Sequence, residues 1–513
     1  MQRSALALLL VAPTLAHADV EYPSSKVKLL AHFDLAALSA RSGNTCWGYV
    51  SPSGREYALM GCSNKMAIID VTRPRESKLI ASIPHAEGLW SDIKVFKNTA
   101  YVSTEASGTG IQVVDLSKID EGKATLVRTI STPGRSHTIS VDEVGGYLYT
   151  CGSNEGVSKG ATTCFDLKDP LDPKRSGLET LTPVYQHESE VVTYRAGKYK
   201  GRTVFFGGGE GRGLEIWDVT DKDKPFLIRR VAYPFVGYCH QGWLSADRKY
   251  FYVNDEFDES TNGIATRTLV FDVSDLDKAD LVSTYSTGRA SIDHNLYIRN
   301  DFVFHANYTT GLWIFDTNEN PLSPRLCGYF DTFPANDDSQ FEGAWSNYPL
   351  LPSGIVLISD INSGLFVVDA TEATKTPIAA TSATLDGVKG EFSDTQLADA
   401  DDSSMTMAGS GSGTAVFEGK CKWQNPSQLS FHVRTRSTKS VKPTIELFNW
   451  VTGKYDQSEG VDIAPSYQDA STAAKYAANY VEPGTKRVKA RLSFSHKGAW
   501  SVAVDQAGWT VNP

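Results

Sequence analysis

Ile68-Ile69-Asp70-Val71-Thr72 is the first copy of a short phrase that occurs seven times in this chain of 513 residues: apolar residues, an Asp, and often a small polar residue. The aspartates of the seven copies are Asp70, Asp115, Asp166, Asp218, Asp272, Asp316 and Asp369. Successive copies are therefore 45, 51, 52, 54, 44 and 53 residues apart. Repeats of this length that are rich in strand-forming residues are typical of β-propellers. The sequence predicts seven blades around one axis.

Each repeat divides into four short apolar runs that are separated by turn residues. In the second repeat these runs predict strands at 92–96, 100–104, 110–115 and 125–130. A run that resembles a fourth strand, Lys28-Leu29-Leu30-Ala31-His32-Phe33, precedes the first repeat and has no blade of its own. We expect it to close the ring as the outer strand of the last blade, although residues 377–385 compete for that place.

The composition of the chain changes after about residue 385. Residues 395–413 are rich in Asp, Ser and Gly, and alternating apolar runs follow between residues 415 and 504. This pattern is typical of an antiparallel β-sandwich. The predicted fold is all-β: a seven-bladed β-propeller over residues 19–384, followed by a jelly-roll-like β-sandwich over residues 385–513.

The first 18 residues predict a signal peptide. Arg3 is followed by an apolar stretch over residues 5–11 and by the small-x-small sequence Ala16-His17-Ala18. No later segment approaches the roughly 20 apolar residues of a membrane-spanning helix. We therefore expect a protein without a transmembrane segment that is secreted to the medium, the cell surface or the periplasm.

Charge and cysteine content restrict the possible partners and crosslinks. A net charge of -10 argues against nucleic-acid binding, which requires a basic surface, and permits cation binding. Because neighbouring strands of a blade are antiparallel, the seven cysteines predict two disulfides, Cys46–Cys62 and Cys151–Cys164. Buried free thiols are the alternative. Cys239, Cys327 and Cys421 have no obvious partner.

Four histidines mark the start of the first strand in four consecutive repeats. They are His137, His187, His240 and His294, at intervals of 50, 53 and 54 residues. The first strand of a blade lines the central channel, so the four imidazoles are expected at one mouth of it. Asp255 and Glu256, which follow a second strand, open on the same face. Together these residues predict a divalent-metal site for Zn, Ca or Mn. The alternative is a structural ring of polar side chains that bind backbone and trapped water.

Several stretches resemble the choice-of-anchor B family of secreted propellers, which carry LVIVD-type repeats. They include Ser136-His137-Thr138-Ile139, His240-Gln241-Gly242-Trp243-Leu244, Asn254-Asp255-Glu256-Phe257-Asp258-Glu259, Asp293-His294-Asn295-Leu296-Tyr297 and Gly343-Ala344-Trp345-Ser346-Asn347-Tyr348-Pro349. The resemblance covers roughly residues 27–372. It implies an exported propeller and no particular reaction.

The leading functional interpretation is a secreted or surface protein that binds a ligand at the His- and acid-lined mouth, together with a divalent cation. The ligand is an unidentified protein, glycan or small molecule, and we expect a monomer. The alternative is a metal-dependent hydrolase of the lactonase or esterase type, with Glu256 or Asp255 as candidate base. A third interpretation is a scaffold whose sandwich binds glycans or the cell surface.

Overall fold

The computed structural model describes residues 21–106, 108–153, 160–177, 182, 184–390, 405–437, 441–460 and 464–513. Seven antiparallel sheets follow one another along the chain, and a larger sheet follows them. The innermost strand of each sheet contacts that of the next, and the last contacts the first, Gly43–Val50. The predicted seven-bladed propeller is therefore confirmed. The predicted signal peptide, residues 1–18, lies outside the described residues.

The strands of blades 1 to 4 follow chain order from the axis outward. They are Gly43–Val50, Glu56–Cys62, Lys65–Asp70 and Lys78–Pro84; Ser91–Phe96, Thr99–Thr104, Ile111–Asp115 and Thr125–Ile130; Thr138–Asp142, Tyr147–Cys151, Thr163–Asp166 and Lys174–Arg175; and Ser189–Thr193, Thr203–Gly208, Leu214–Asp218 and Phe226–Val231. The strands of the second blade agree with the predicted ones to within one residue.

The last three blades include the point where the ring closes. Their strands are Cys239–Leu244, Tyr250–Asp255, Thr268–Asp272 and Asp280–Tyr285; Leu296–Arg299, Phe302–Ala306, Leu312–Asp316 and Arg325–Phe330 with Ser24–Ser25 at its edge; and Ala344–Tyr348, Ile355–Asp360, Gly364–Asp369 and Lys28–Phe33. Lys28–Phe33 pairs antiparallel with Gly364–Asp369, so the predicted ring closure by the N-terminal strand is confirmed.

The repeated aspartate has the same role in all seven blades. It ends the third strand, and its Oδ1 accepts a hydrogen bond of 2.7–3.1 Å from the backbone N–H two residues further on. An Asp side chain that binds the backbone in this way forms an Asx turn, which ends a strand by occupying a backbone donor. The phrase recurs because each blade needs this turn toward its outer strand.

Apolar side chains from the first three strands of each blade fill the space between neighbouring blades. Between blades 1 and 2, for example, Leu59 and Ile68 pack with Ile93 and Val102, and all four are at most 1% exposed. This continuous packing fixes the angle between blades, and so it fixes where the start of each innermost strand lies around the axis.

The C-terminal strands form a β-sandwich. They are Thr376–Ala379, Ser382–Lys389, Met405–Lys420, Gln428–Arg436, Thr444–Asn449, Lys454–Gly460, Gln468–Ala473 and Arg487–Asn512. Two of them, Met405–Lys420 and Arg487–Asn512, are long enough to belong to both layers. Buried and exposed residues alternate along both, and the rings of Phe417 and Phe431 meet 5.8 Å apart. The predicted C-terminal sandwich is therefore confirmed.

The sandwich contacts the propeller through polar and aromatic groups. Trp423 donates its indole N–H to Asp301 at 2.8 Å, and Lys422 pairs with the same carboxylate at 3.2 Å. Thr376–Ala379 pairs with the last strand, so residues 377–385 belong to this sheet and do not close the ring. The boundary between residues 384 and 385 stays a prediction.

Neither predicted disulfide is formed, because all seven cysteines are buried free thiols. The strand begins at Gly43, which lies opposite Cys62, so Cys46 lies further along the strand and opposite Met60. Cys164 lies opposite Tyr149 and not opposite Cys151. The Cys46–Cys62 and Cys151–Cys164 predictions were therefore wrong by about two positions of register. Burial raises the pKa of these four thiols to about 12.

In the described residues, no helix is long and apolar enough to cross a membrane.

Candidate metal centre at the channel mouth

Four imidazoles form an arc around one mouth of the propeller channel. His137, His187, His240 and His294 lie at or just before the start of the innermost strands of blades 3 to 6. Consecutive ring centroids are 4.2, 4.4 and 4.3 Å apart, and each residue is at most 7% exposed. The repeat spacing therefore placed these residues correctly as neighbours. We call this group the imidazole arc.

Three members of the imidazole arc are held from outside through Nδ1. The contacts are His137 with Glu105 at 2.6 Å, His187 with the hydroxyls of Tyr185 and Tyr238 at 3.1 and 2.9 Å, and His294 with the backbone oxygen of Trp345. Histidines that bind a metal through Nε2 are usually oriented in this way by a carboxylate, carbonyl or hydroxyl on the other nitrogen. The outer partners direct Nε2 toward the other members of the arc.

The inward-facing nitrogens are buried without a partner. Within the part of the chain that the structure describes, His137 Nε2, His294 Nε2 and both nitrogens of His240 make no hydrogen bond. A buried polar atom without a partner costs about 1–3 kcal/mol. These nitrogens lie side by side and are free to act as ligand atoms.

Two carboxylates complete possible sets of metal ligands. His187, His240 and Glu256 have ligand atoms within 4.8 Å of one another, and so have His137, His187 and Glu188. Glu256 lies 3.6 Å from His240 Nε2 and 3.5 Å from His294 Nε2. These distances are long for a hydrogen bond. They suit ligands that share one ion, since two atoms each about 2.0–2.1 Å from tetrahedral zinc are about 3.4 Å apart.

Burial controls the protonation of the imidazole arc. It lowers the pKa of His187 and His240 well below the ordinary value, and that of His294 to about 3, so these imidazoles are neutral with free lone pairs. Burial has the opposite effect on the acids, raising the pKa of Glu188 and of Glu256 to about 7. A cation bound here would offset the unfavourable burial of both carboxylates.

His137 differs from the other three imidazoles. Burial alone disfavours its charged form, but the hydrogen bond and the charge of Glu105 outweigh burial and raise the pKa of His137. The same contact holds the pKa of Glu105 below its ordinary value. An ion pair between them makes His137 a poorer ligand than His187 or His240. The set of His187, His240 and Glu256 is therefore the one that best fits a metal ion.

Asp255 was predicted as a metal ligand together with Glu256, but its carboxylate holds a loop instead. Its oxygens accept hydrogen bonds from the Tyr233 hydroxyl and from the backbone N–H groups of Gly237, Tyr238 and Phe257. Those four contacts occupy the carboxylate and shape the loop that brings Tyr238 to His187. Asp255 therefore supports the site from outside, and the base role considered for it has no geometric support.

An open pocket of ≈ 330 Å³ lies over the imidazole arc. Its walls are mostly aromatic and are formed by Trp90, Tyr185, Tyr238, Phe257, Tyr308, Phe341 and Trp345. Trp90 stacks on Trp345 at 4.3 Å, and the Tyr308 hydroxyl donates to Glu256 at 2.7 Å. Sequence analysis missed these residues and also Glu105 and Glu188. Only the position of Glu188, next to His187, could have indicated it.

Comparisons with known proteins add little to this description. No protein-family model and no curated protein sequence matches the chain. It is similar to a solved, functionally unknown protein from Desulfotomaculum acetoxidans DSM 771, with 12% identity over 58% of this chain and 88% of that chain and a TM-score of 0.42. It is also similar to TmCBM61 in complex with beta-1,4-galactotriose, with 11% identity, 26% and 89% coverage and a TM-score of 0.19. At these scores neither likeness assigns a function.

Proposed function

We propose that this protein is a binding protein that holds one divalent transition-metal ion at the imidazole arc. His187, His240 and Glu256 supply the protein ligands. The observation that carries the proposal is that His187, His240 and Glu256 have ligand atoms within 4.8 Å of one another, while both nitrogens of the buried His240 make no hydrogen bond among the described residues. Two imidazoles and one carboxylate favour zinc over calcium, which prefers oxygen ligands.

The ion would present an open coordination position to the aromatic pocket. Three protein ligands leave the fourth position of tetrahedral zinc for an external group. The pocket above the arc could therefore admit a ligand that contacts both the metal and the aromatic walls. This arrangement supports ligand binding through the metal.

Calorimetric titration of chelator-treated protein with Zn²⁺ tests the proposal. We expect one site per chain, with an affinity at least a hundredfold higher than for Ca²⁺. The double variant His187→Ala/His240→Ala should lose the site, whereas His432→Ala, a histidine of the sandwich, should keep it. Equal zinc binding by the double variant and by the parent protein would contradict the assignment.

Hydrolysis is a second candidate function, because a His₂Glu zinc site with an open position can also activate water. A panel of lactones and esters, assayed with the zinc-loaded protein, separates the two functions. Turnover that disappears with chelator and with His240→Ala would favour the hydrolase. Ligand binding without turnover would favour the binding protein.

We also propose that the protein is exported and belongs to the choice-of-anchor B family of secreted propellers. The support is the signal-like sequence of residues 1–18 and the position of the resembling stretches, which include the strand Cys239–Leu244 and the loop with Glu256. Mass spectrometry of the native protein should find Asp19 at its N-terminus, in the medium, surface or periplasmic fraction. An intracellular protein that retains Met1 would contradict export.

A further inference from the structure

A second cavity lies at the opposite end of the propeller channel. The innermost strands begin at the imidazole arc and end at this other mouth. There they surround a cavity of ≈ 290 Å³, whose lining includes Trp47, Lys94, Glu190, Trp243, Arg248 and Tyr348. We call it the aromatic mouth. None of these six residues belongs to the proposed metal centre.

Aromatic rings form one wall of this cavity. Tyr297 contacts both indoles edge to face, with centroid distances of 5.6 Å to Trp47 and 4.9 Å to Trp243. Tyr348 packs against Trp47 at 4.8 Å. These contacts fix the orientation of the two indoles. Neither indole N–H donates a hydrogen bond to any group in the described residues, so both remain available to a ligand.

Two basic side chains, Lys94 and Arg248, and three acidic ones, Asp142, Glu143 and Glu190, line the aromatic mouth. Lys94 Nζ lies 2.7 Å from both oxygens of Asp92, so its charge is already paired. One oxygen of Glu190 accepts the Leu244 N–H at 2.6 Å, and the other has no hydrogen bond within the described chain. Arg248 lines the same cavity with the opposite charge.

We propose that the aromatic mouth binds an uncharged saccharide ring. The Lys94 ammonium already lies over the Trp47 ring, 4.6 Å from its centroid, so stacking is expected on Trp243. Stacking there requires a ring with an apolar face, and the C–H face of a sugar provides one. The indoles and Arg248 donate hydrogen bonds, and the Glu190 carboxyl accepts one or, when protonated, donates one, so a partner that both donates and accepts fits the cavity. A hydroxyl does both. The lining also contains Asp142 and Glu143, so charge alone does not separate a saccharide from an organic ammonium ion, and the experiment includes an ammonium probe.

Saturation-transfer NMR on the chelator-treated full-length protein tests this proposal independently of the metal. The probes are glucose, galactose, mannose, xylose and their β-linked disaccharides, with choline as the ammonium probe. We expect transfer to ring C–H protons of at least one saccharide. Trp243→Ala should lower the affinity at least tenfold, and Trp243→Phe, which keeps a stacking ring but removes the indole N–H, should lower it less.

Matched variants locate the binding. Trp90→Ala makes the same change at the other mouth, and His240→Ala disables the proposed metal centre; both should bind the saccharide like the parent protein. The proposal is overturned if no saccharide binds or if choline binds instead. It is also overturned if Trp90→Ala abolishes binding, or if binding survives in both Trp243 variants, which would place it in the sandwich or elsewhere. Failure of zinc binding would leave this result unaffected.

Discussion

The two mouths of the channel are built from the two ends of the same innermost strands, yet they treat buried polar groups in opposite ways. At the aromatic mouth, Lys94 and Asp92 satisfy each other inside the protein. At the imidazole arc, His240 and His294 keep nitrogens that have no partner among the described residues. The buried charge of Lys94 is thus paired within the chain, whereas the buried nitrogens of His240 and His294 require an external partner.

His305 makes the contrast sharper because it is equally buried and close in sequence to His294. Its Nε2 lies 2.9 Å from the Tyr285 hydroxyl, and its Nδ1 lies 3.4 Å from the Asn254 amide. It is 1% exposed. Burial alone therefore does not leave an imidazole without partners in this fold.

The largest effect on stability is expected from breaking the buried Lys94–Asp92 ion pair. Lys94→Met leaves Asp92 buried and unpaired, so it should lower the free energy of unfolding by about 3–5 kcal/mol. Lys123→Met removes an exposed ion pair with Glu121 and should change it by less than about 1 kcal/mol. Urea unfolding measures both. Equal losses of stability in the two variants would mean that the Lys94–Asp92 pair is as accessible to solvent as the exposed Lys123–Glu121 pair.

Zinc should stabilise the folded protein by binding at the imidazole arc. Zinc at a thousandfold excess over its dissociation constant should raise the free energy of unfolding by about 4 kcal/mol, because it binds the folded chain alone. The double variant His187→Ala/His240→Ala should lose this gain, and His432→Ala should retain it. Thermal unfolding with and without zinc makes the comparison. If zinc stabilised the double variant as much as the parent protein, the metal would not bind at the imidazole arc.

The buried carboxyl of Glu190 in the aromatic mouth should make the free energy of unfolding depend on pH. Burial raises its pKa from 4.5 to about 8 in the folded protein. Below pH 4.5 the carboxyl is protonated in both states. Between pH 4.5 and 8 only the unfolded state releases the proton, so the free energy of unfolding falls as the pH rises. Glu190→Gln should abolish this part of the fall.

At pH 8.5 the Glu190→Gln variant should therefore be more stable than the parent protein by up to a few kcal/mol, since one pKa unit corresponds to about 1.4 kcal/mol. Urea unfolding of both proteins at pH 5 and pH 8.5 measures the difference, in which all other titrating groups cancel. A constant difference between the two pH values would show that Glu190 is ionised in the folded state.

The smallest expected effect concerns the outer contacts of the imidazole arc. Tyr308→Phe removes the 2.7 Å hydrogen bond to Glu256 and should weaken zinc binding about tenfold, a typical loss when an outer partner of a metal ligand is removed. Tyr285→Phe removes the corresponding hydroxyl from His305 and should leave the affinity unchanged. Calorimetry distinguishes the two. Equal losses in both variants would point to a general loss of packing.

The sequence was informative wherever a feature repeats with the blades. The aspartate phrase gave the blade count because every blade uses the same Asx turn, and the histidine spacing gave the arc because equivalent positions meet at the axis. Features that depend on loop shape were not predictable. Tyr185 and Tyr238 reach His187 through loops whose conformations no repeat dictates.

The wrong predictions also have physical causes. Asp255 and Glu256 are adjacent at the end of a strand, where successive side chains point to opposite faces, so only one of them can face the arc. The Cys46–Cys62 prediction failed because the strand begins at Gly43, so that Gly43 and not Cys46 lies opposite Cys62. The Cys151–Cys164 prediction failed because the regular register of their two strands places Tyr149 opposite Cys164.

The proposed metal ion in the imidazole arc can be located by anomalous diffraction from crystals of zinc-loaded protein, recorded on both sides of the zinc absorption edge. We expect one peak about 2.0–2.2 Å from His187, His240 and Glu256. Density without an anomalous peak among these residues, with ordered waters bound to the inward nitrogens instead, would contradict it.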